Sequence, residues 1–511
     1  MEKNDDAIGK YSIEVGTIIC TEDSPTTTKF AFVVSNNSLR KGHFVQVARE
    51  NGMLLGNVLD IVRANRYFER AESVAEYERT NSMSHFPTFE WEYVIAEVRI
   101  LGEYNKELIE RTAFPPAPGD KVFIADDELI KKFLGFREDG LELGNIAYHG
   151  VKPKLSLTKL FQKHLAILAM SGAGKSHLAG VLIEEILERK EEMGNVGVVI
   201  IDVHGEYVGF KATHYKERIN IVEGKKIRIA LRKMSPQSLS EILPNISSVA
   251  QRDLTVVLEE LKNEMKEKGE LYGLEELIKK AEASEAVKQN IKGTLLSWLH
   301  DLARMRIISK GDHPHLSELV KVGTVTVIDL SDLDDQRRKE LIVAHISRKL
   351  FAMRKKEKIP PFVLIIEEAH NFAKEKAPKE MAIAKRVIEK IAREGRKFGA
   401  SLCLISQRPV QLSTTALSQC NTHIILRVTN PYDIDHIGKS CEGIDGHMLK
   451  MITSLRVGEA LIVGEAVTQP IFIKVRERKT KIPTKSVSLE EMSKRWLQMQ
   501  KTKEDDVEAF I

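Results

Sequence analysis

Residues 163–177 read KHLAILAMSGAGKSH, and no other stretch limits the possible folds as strongly. A short apolar run, Leu165 to Leu168, breaks into a loop of small residues that ends in Gly174-Lys175-Ser176. A loop of this composition can follow backbone paths closed to bulky side chains. Successive N–H groups along it can then face a single polyanion. The segment that follows repeats apolar residues at Leu178, Leu182, Ile183 and Ile186, a helical spacing. A helix starting at Lys175 aims its N-terminal amides and partial positive charge back at the loop. Ser171, Gly172, Ala173, Gly174, Lys175, Ser176 and His177 are therefore expected to wrap a triphosphate. Lys175 would reach the terminal phosphates, and the Ser176 hydroxyl suits a magnesium ion. The spacing departs from the usual glycine-first pattern at Ala169, where another small residue stands.

The remainder of the chain supplies an α/β frame for that loop. GVVIIDV (197–203), TVTVIDL (324–330), PFVLIIEEA (361–369), SLCLISQ (401–407) and HIILRV (423–428) are apolar without alternation. Strands of that kind are buried on both faces, as in a parallel sheet covered by helices. Between them, 235–322 has helical periodicity and no strand pattern, which reads as an all-helical insertion. Ahead of the loop, residues 8–126 carry short alternating strands separated by turn residues, with a helical interruption near 65–79. That pattern predicts a small closed β-barrel. Residues 127–162 are expected to be a linker of short helix and loop. The core resumes at 163–234 and 323–478, closes with a β-ribbon (GEALIVGEAVTQPIFIKV), and leaves a charged tail at 479–511.

Four cysteines without CxxC spacing fit neither a disulfide framework nor a zinc site. With the polar start MEKNDD and no apolar run of bilayer length, they point to a cytoplasmic protein with no membrane segment. A formal charge of +4 is too small to indicate a nucleic-acid partner without local clustering.

Several polar residues stand where strands end. Glu367 and Glu368 close the apolar run from Val363. A buried strand that ends in paired carboxylates can hold magnesium through the first and activate a water through the second. Gln407 ends SLCLISQ, at the strand edge where open α/β sheets bind ligands, and reads as a γ-phosphate or water sensor. Asp202 ends GVVIID and Glu206 lies just beyond it, and either a metal–water network, a subunit contact or a structural turn would use them. After Lys379, a helical stretch carries an apolar stripe (Ala384, Val387, Ile388, Ile391) and a basic one (Arg386, Lys390, Arg393, Lys397). Arg393 or Arg396 could stabilise charge on a neighbouring subunit's nucleotide, or the stripe could meet a phosphate backbone.

AMSGAGKSH, IDVHGEY, LIIEEAHNF, REGRKFG, ISQRP and RVTNPYD, in this order behind a small barrel, resemble the archaeal HerA helicase-translocases. These are relatives of FtsK-type and conjugative DNA pumps. The resemblance covers most of the chain and implies a RecA-like P-loop ATPase core with a HAS-type barrel. It implies ATP and Mg2+ as cofactors, a homohexameric ring, double-stranded DNA as substrate and a NurA-type nuclease as partner in end resection. It further implies Lys175 and Ser176 on nucleotide and metal, Glu367 on the metal side, Glu368 as base, Gln407 as sensor, and Arg393 or Arg396 as an arginine acting across subunits. A conjugation- or secretion-type pump, or a nucleotide-gated scaffold for a nuclease, are the other readings.

Overall fold

The computed structural model describes residues 13–50, 52–65, 92–105, 108–243, 246–377, 382–480 and 489–508, with isolated positions at 68, 72, 74 and 78. The helical interruption expected near 65–79 falls almost wholly outside the described residues. The chain divides into two compact units, 1–185 with 401–477 and 186–400 with 478–511.

In the first unit, the strands Glu14–Ile19, Lys29–Val34, Phe44–Arg49, Gly52–Asn65, Glu92–Asn105 and Lys121–Ile124 form one antiparallel sheet. It closes on itself where Lys29–Val34 pairs with Glu92–Asn105, Phe32 standing opposite Ala96. The expected barrel is thus present, and closure leaves no open edge at that seam. Alternate side chains point inward, so Val15, Phe30, Phe32, Leu54, Val58 and Val98 make a common core. Gly16 sits at a register shift, where a Cβ would overlap the Val33 carbonyl and crowd the Phe32 ring.

Residues 127–162 are more ordered than a linker. The helix Asp127–Leu134 is capped by the Asp126 carboxylate, which accepts from the Glu128 N–H at 2.8 Å, and it ends at Gly135 with φ 69°. Leu141–Glu142 pairs with Lys154–Leu155, and Gly144–Ile146 runs antiparallel to Ile471–Val475. Ile130, Phe133, Leu134, Leu143 and Ile146 are all buried, which ties the segment down. Strands of two or three residues are too short to show alternation, so the sequence pattern passes over them.

The rest of the first unit is built on parallel strands. Ala400–Ser406 and Thr422–Ile425 flank Leu165–Leu168, with Ser406 and Ile425 both registered on Leu168. Glu459–Gly464 and Ile471–Val475 follow antiparallel, as the expected ribbon.

In the second unit, Ile219–Glu223, Val325–Asp329, Gly197–Asp202 and Phe362–Ile366 are parallel neighbours in that order. Gly197–Asp202 and Phe362–Ile366 are buried throughout, hence their unbroken apolar sequence. Helices Pro236–Glu241, Ser248–Lys268, Leu274–Ala283 and Gln289–Arg304 make up the helical insertion. The expectation of no strand within it needs correction. Ile308–Ser309 pairs parallel with Ile229–Ala230, a pairing set by residues far apart in the chain. The architecture is a RecA-like core with a mostly parallel sheet, a small N-terminal barrel and a helical insertion.

Candidate functional site

The glycine-rich loop lies in the first unit and begins where Leu165–Leu168 ends. Its base is held by two neighbours: Ala169 N–H donates to the Ser406 carbonyl at 3.2 Å and Met170 N–H to the Arg427 carbonyl at 2.9 Å. Ala169 is fully buried with φ outside the left-handed region, so alanine serves where other loops use glycine. The left-handed conformation falls instead on Gly172 (φ 77°) and Gly174 (φ 101°). Nothing lies within 4 Å of where a Gly172 Cβ would be, so the requirement there is backbone angle and not space.

Helix Lys175–Glu188 starts directly after the loop. Its first turn closes with Leu178 N–H on the Gly174 carbonyl at 3.0 Å, and the amides before that point face the loop. A polyphosphate fits such a cradle on backbone grounds alone, and the Ser176 hydroxyl lies in the same first turn.

Two supports of this loop have no signal in the local sequence. The turn at Arg456–Glu459 lies against it, with Gly458 N–H donating to the Ala173 carbonyl at 3.4 Å. His177 Nε2 is 2.9 Å from the Arg476 carbonyl. The Arg476 guanidinium in turn bonds Glu184 Oε2 and Glu185 Oε1, each at 2.8 Å. Burial works against that guanidinium, yet the two glutamates hold its pKa above the ordinary arginine value. At the other end of the strand, His164 (φ 63°) is buried and its Nδ1 accepts from the Leu402 N–H at 3.0 Å.

Gln407 belongs to the same unit and is the first residue beyond Ala400–Ser406. Because Ser406 is registered on Leu168, Gln407 stands at the strand edge from which the loop departs, half-buried. The next residue turns away, Arg408 N–H bonding Ser406 Oγ at 3.0 Å.

The second unit holds the carboxylates. Glu367 and Glu368 follow Phe362–Ile366 directly and are 0% and 2% exposed, so neither is a solvated helix start. Glu367 N–H donates to the Ile201 carbonyl at 3.1 Å, and the Tyr207 hydroxyl donates to Glu367 Oε1 at 3.5 Å. Glu368 has a left-handed backbone, φ 47° and ψ 45°. For a residue with a Cβ this costs roughly 1–2 kcal/mol. His370 Nδ1 lies 3.4 Å from Glu368 Oε2.

Asp202 serves the turn. Its Oδ1 accepts from the N–H groups of His204, Gly205 and Glu206, and its Oδ2 from Tyr207 at 2.9 Å. Burial pushes its carboxyl above the usual range, while the amide bonds pull it back. Of the readings left open by sequence, the structural turn is the one this geometry describes. The turn positions Tyr207, and through it Glu367.

Arg393 and Arg396 are exposed at the end of helix Ile383–Glu394 and in the turn behind it, and neither makes an ion pair among the described residues. Ala384, Val387, Ile388 and Ile391 are buried, as the apolar stripe predicts. Arg386 leans on Glu241 at 3.8 Å, and Glu389 has an ion pair with Lys385 at 3.8 Å. At the foot of the helix a Cβ on Gly395 would overlap the Ala400 carbonyl, which fixes how tightly the chain turns there.

A family model described as the central domain of helicase HerA matches residues 141–350. The DNA double-strand break repair helicase HerA of Pyrococcus furiosus is 29% identical, covering 90% of this chain and 91% of that protein. Its counterpart in Saccharolobus solfataricus is 28% identical over 88% of this chain and 90% of that one. A probable helicase of Methanocaldococcus jannaschii is 28% identical over 91% and 92%. Among solved structures, VirB4 of Thermoanaerobacter pseudethanolicus has a TM-score of 0.53 at 18% identity, covering 70% of this chain and 99% of that one. At that identity the likeness concerns fold. With a glycine loop opening a helix, a parallel sheet, a closed barrel and relatives alike over nearly their whole length, the chain is a P-loop ATPase of the helicase–translocase class and is similar to the HerA helicases.

Proposed function

We propose that the chain assembles as a homohexameric ring that hydrolyses ATP with Mg2+ and drives double-stranded DNA, acting in the cytoplasm with a NurA-type nuclease in end resection for double-strand-break repair. The observation that carries this reading is the loop of 171–177, with left-handed Gly172 and Gly174 set directly on a helix N-terminus. The names of the relatives, DNA double-strand break repair helicases, support the substrate. Among the described residues, no helix is long and apolar enough to cross a membrane.

In this reading the backbone amides of 171–177 bind the phosphates, Lys175 pairs with the terminal ones and Ser176 and Glu367 orient the metal. Magnesium, when bound, would supply positive charge to offset that of the phosphates. Glu368 takes the proton of the attacking water, and Gln407 senses the γ-phosphate. Arg393 or Arg396 is offered to the nucleotide of the next protomer, which their exposure allows. Such a head-to-tail contact closes into a ring.

The test is ATP hydrolysis with and without duplex DNA, on the parent chain and on Glu368→Gln. The variant should bind nucleotide with affinity close to the parent and lose turnover by about a hundredfold or more. DNA-stimulated turnover surviving in Glu368→Gln would refute the base, and a parent chain inert toward ATP would refute the whole reading.

A further inference from the structure

The two exposed arginines flank Glu394, and the group that holds Glu394 lies on another helix. Lys355 is the last residue of helix Gln336–Lys355, and its ammonium donates to Glu394 Oε2 at 2.9 Å. The same ammonium sits 5.0 Å from the ring centroid of Phe351 and 5.0 Å from that of Phe398. A cation within about 6 Å of a ring face is attracted to it. The two rings meet edge to face, with centroids 5.9 Å apart. Phe351, one turn before Lys355 on the same helix, is buried and forms a fixed wall. Glu394 stands just before the turn Gly395–Phe398, and Phe398 ends it. Lys355 thus grips both ends of the stretch that carries Arg396, with Arg393 one residue ahead of it.

The backbone of the turn is tied down too. Gly399 (φ 64°) donates its N–H to the Arg396 carbonyl at 3.4 Å, and its own carbonyl accepts from the Phe362 N–H at 3.0 Å. Phe362 begins the strand that leads to Glu367 and Glu368. Within 393–398 Glu394 is the single acid among three cations, Arg393, Arg396 and Lys397. Its carboxyl is held below the usual range, above all by the Lys355 bond, with Lys390 and Arg393 adding positive charge. Without Lys355, that carboxylate would be left to Lys390 and Arg393, and Phe398 would lose the cation over its ring.

We propose that Lys355 is a positioning residue for ATP hydrolysis, which holds Glu394 and Phe398 so that Arg393 and Arg396 stay directed outward, free for the nucleotide of a neighbouring protomer. The inference rests on the reading in which one of these arginines acts across subunits. Lys355 acts through the turn and not on the nucleotide itself.

The test is DNA-stimulated ATP hydrolysis by the full chain, comparing Lys355→Met, Lys355→Arg and Phe398→Leu with Arg393→Ala and Arg396→Ala. Lys355→Met keeps the stem and removes the charge. It should lower kcat about tenfold and leave KM for ATP within about twofold, the pattern of an interaction made only in the transition state. Lys355→Arg preserves the ion pair and the ring contacts and should keep most of the turnover. Phe398→Leu should show a smaller loss of the same kind, about threefold. The Lys355 and Glu394 side chains are 36% and 42% exposed, and an exposed pair adds little stability, so the fold should survive these changes. Lys355→Met subunits mixed with Lys175→Ala subunits should recover turnover, because the lesion lies on the side offered to the neighbour. Parent-like kcat in Lys355→Met, with either arginine variant slow, would overturn the Lys355 assignment alone. A slow Lys355→Met that mixing does not rescue, or whose KM rises in proportion, would reduce its role to structure and overturn the proposal as well. Should both arginine variants turn over like the parent, the cross-subunit reading fails first and the proposal falls with it.

Discussion

At Asp202 a single buried carboxylate organises a turn of five residues, and most of its hydrogen-bonding capacity goes to backbone amides. Asp202→Ala would strand those donors in a dry site and should lower stability by about 2–3 kcal/mol, read as an earlier urea midpoint. The variant should also loosen Tyr207, and with it the contact to Glu367 Oε1. Sequence alone places Asp202 at a strand end but does not say which groups its oxygens serve, because the acceptor's partners are backbone and leave no side-chain signature. Glu367 and Glu368 are different. An apolar run that ends in two acids is ambiguous by itself and gains meaning only beside the glycine loop, and both acids are buried. The left-handed backbone of Glu368 was not legible, since nothing in EEAHNF calls for a positive φ at a glutamate.

On the scale of elements, the helix Ile383–Glu394 is anchored by a carboxyl on the helix Gln336–Lys355. Glu340 Oε2 accepts from the Ala384 N–H at 3.2 Å, at the first turn of the arginine-bearing helix. Burial raises the Glu340 pKa to about 8, and the amide bond opposes this. The folded chain therefore keeps the proton to higher pH than the unfolded chain, which releases it near 4.5. Stability from this group is complete below pH 4.5 and is lost as pH rises to about 8. Denaturation of Glu340→Gln across that window should show a relative gain that grows with pH, on the order of a few kcal/mol, and levels off above it. A gain independent of pH would assign the effect to packing. Long elements were readable from period: the helices of 235–322 and the buried parallel strands repeat clearly enough. The strand Ile219–Glu223 was not, because as an outer strand it mixes exposed and buried positions in INIVE and lacks an apolar run. The supports of the glycine loop at Gly458 and Arg476 were also out of reach, being contacts between segments remote in sequence.

For the whole molecule, the exposed Arg393 and Arg396 can reach another nucleotide site only if the chain meets another copy of itself. Mixing Arg393→Ala with Lys175→Ala subunits should restore part of the ATPase activity that each lacks alone, because some interfaces then combine an intact loop with an intact arginine. No recovery at any mixing ratio, for Arg393 and equally for Arg396, would place the arginines outside the reaction. The barrel was the most legible large feature, since alternating strands and turn residues fix closure without reference to the rest of the chain. The end of Phe362–Ile366 is less comfortable. The fold there keeps an acid away from water and bends its main chain against the preference of any residue with a side chain. Exchanging Glu368 for glycine should raise the melting temperature by about a degree or two while extinguishing turnover. A hardier protein and an idle motor would then be the same molecule.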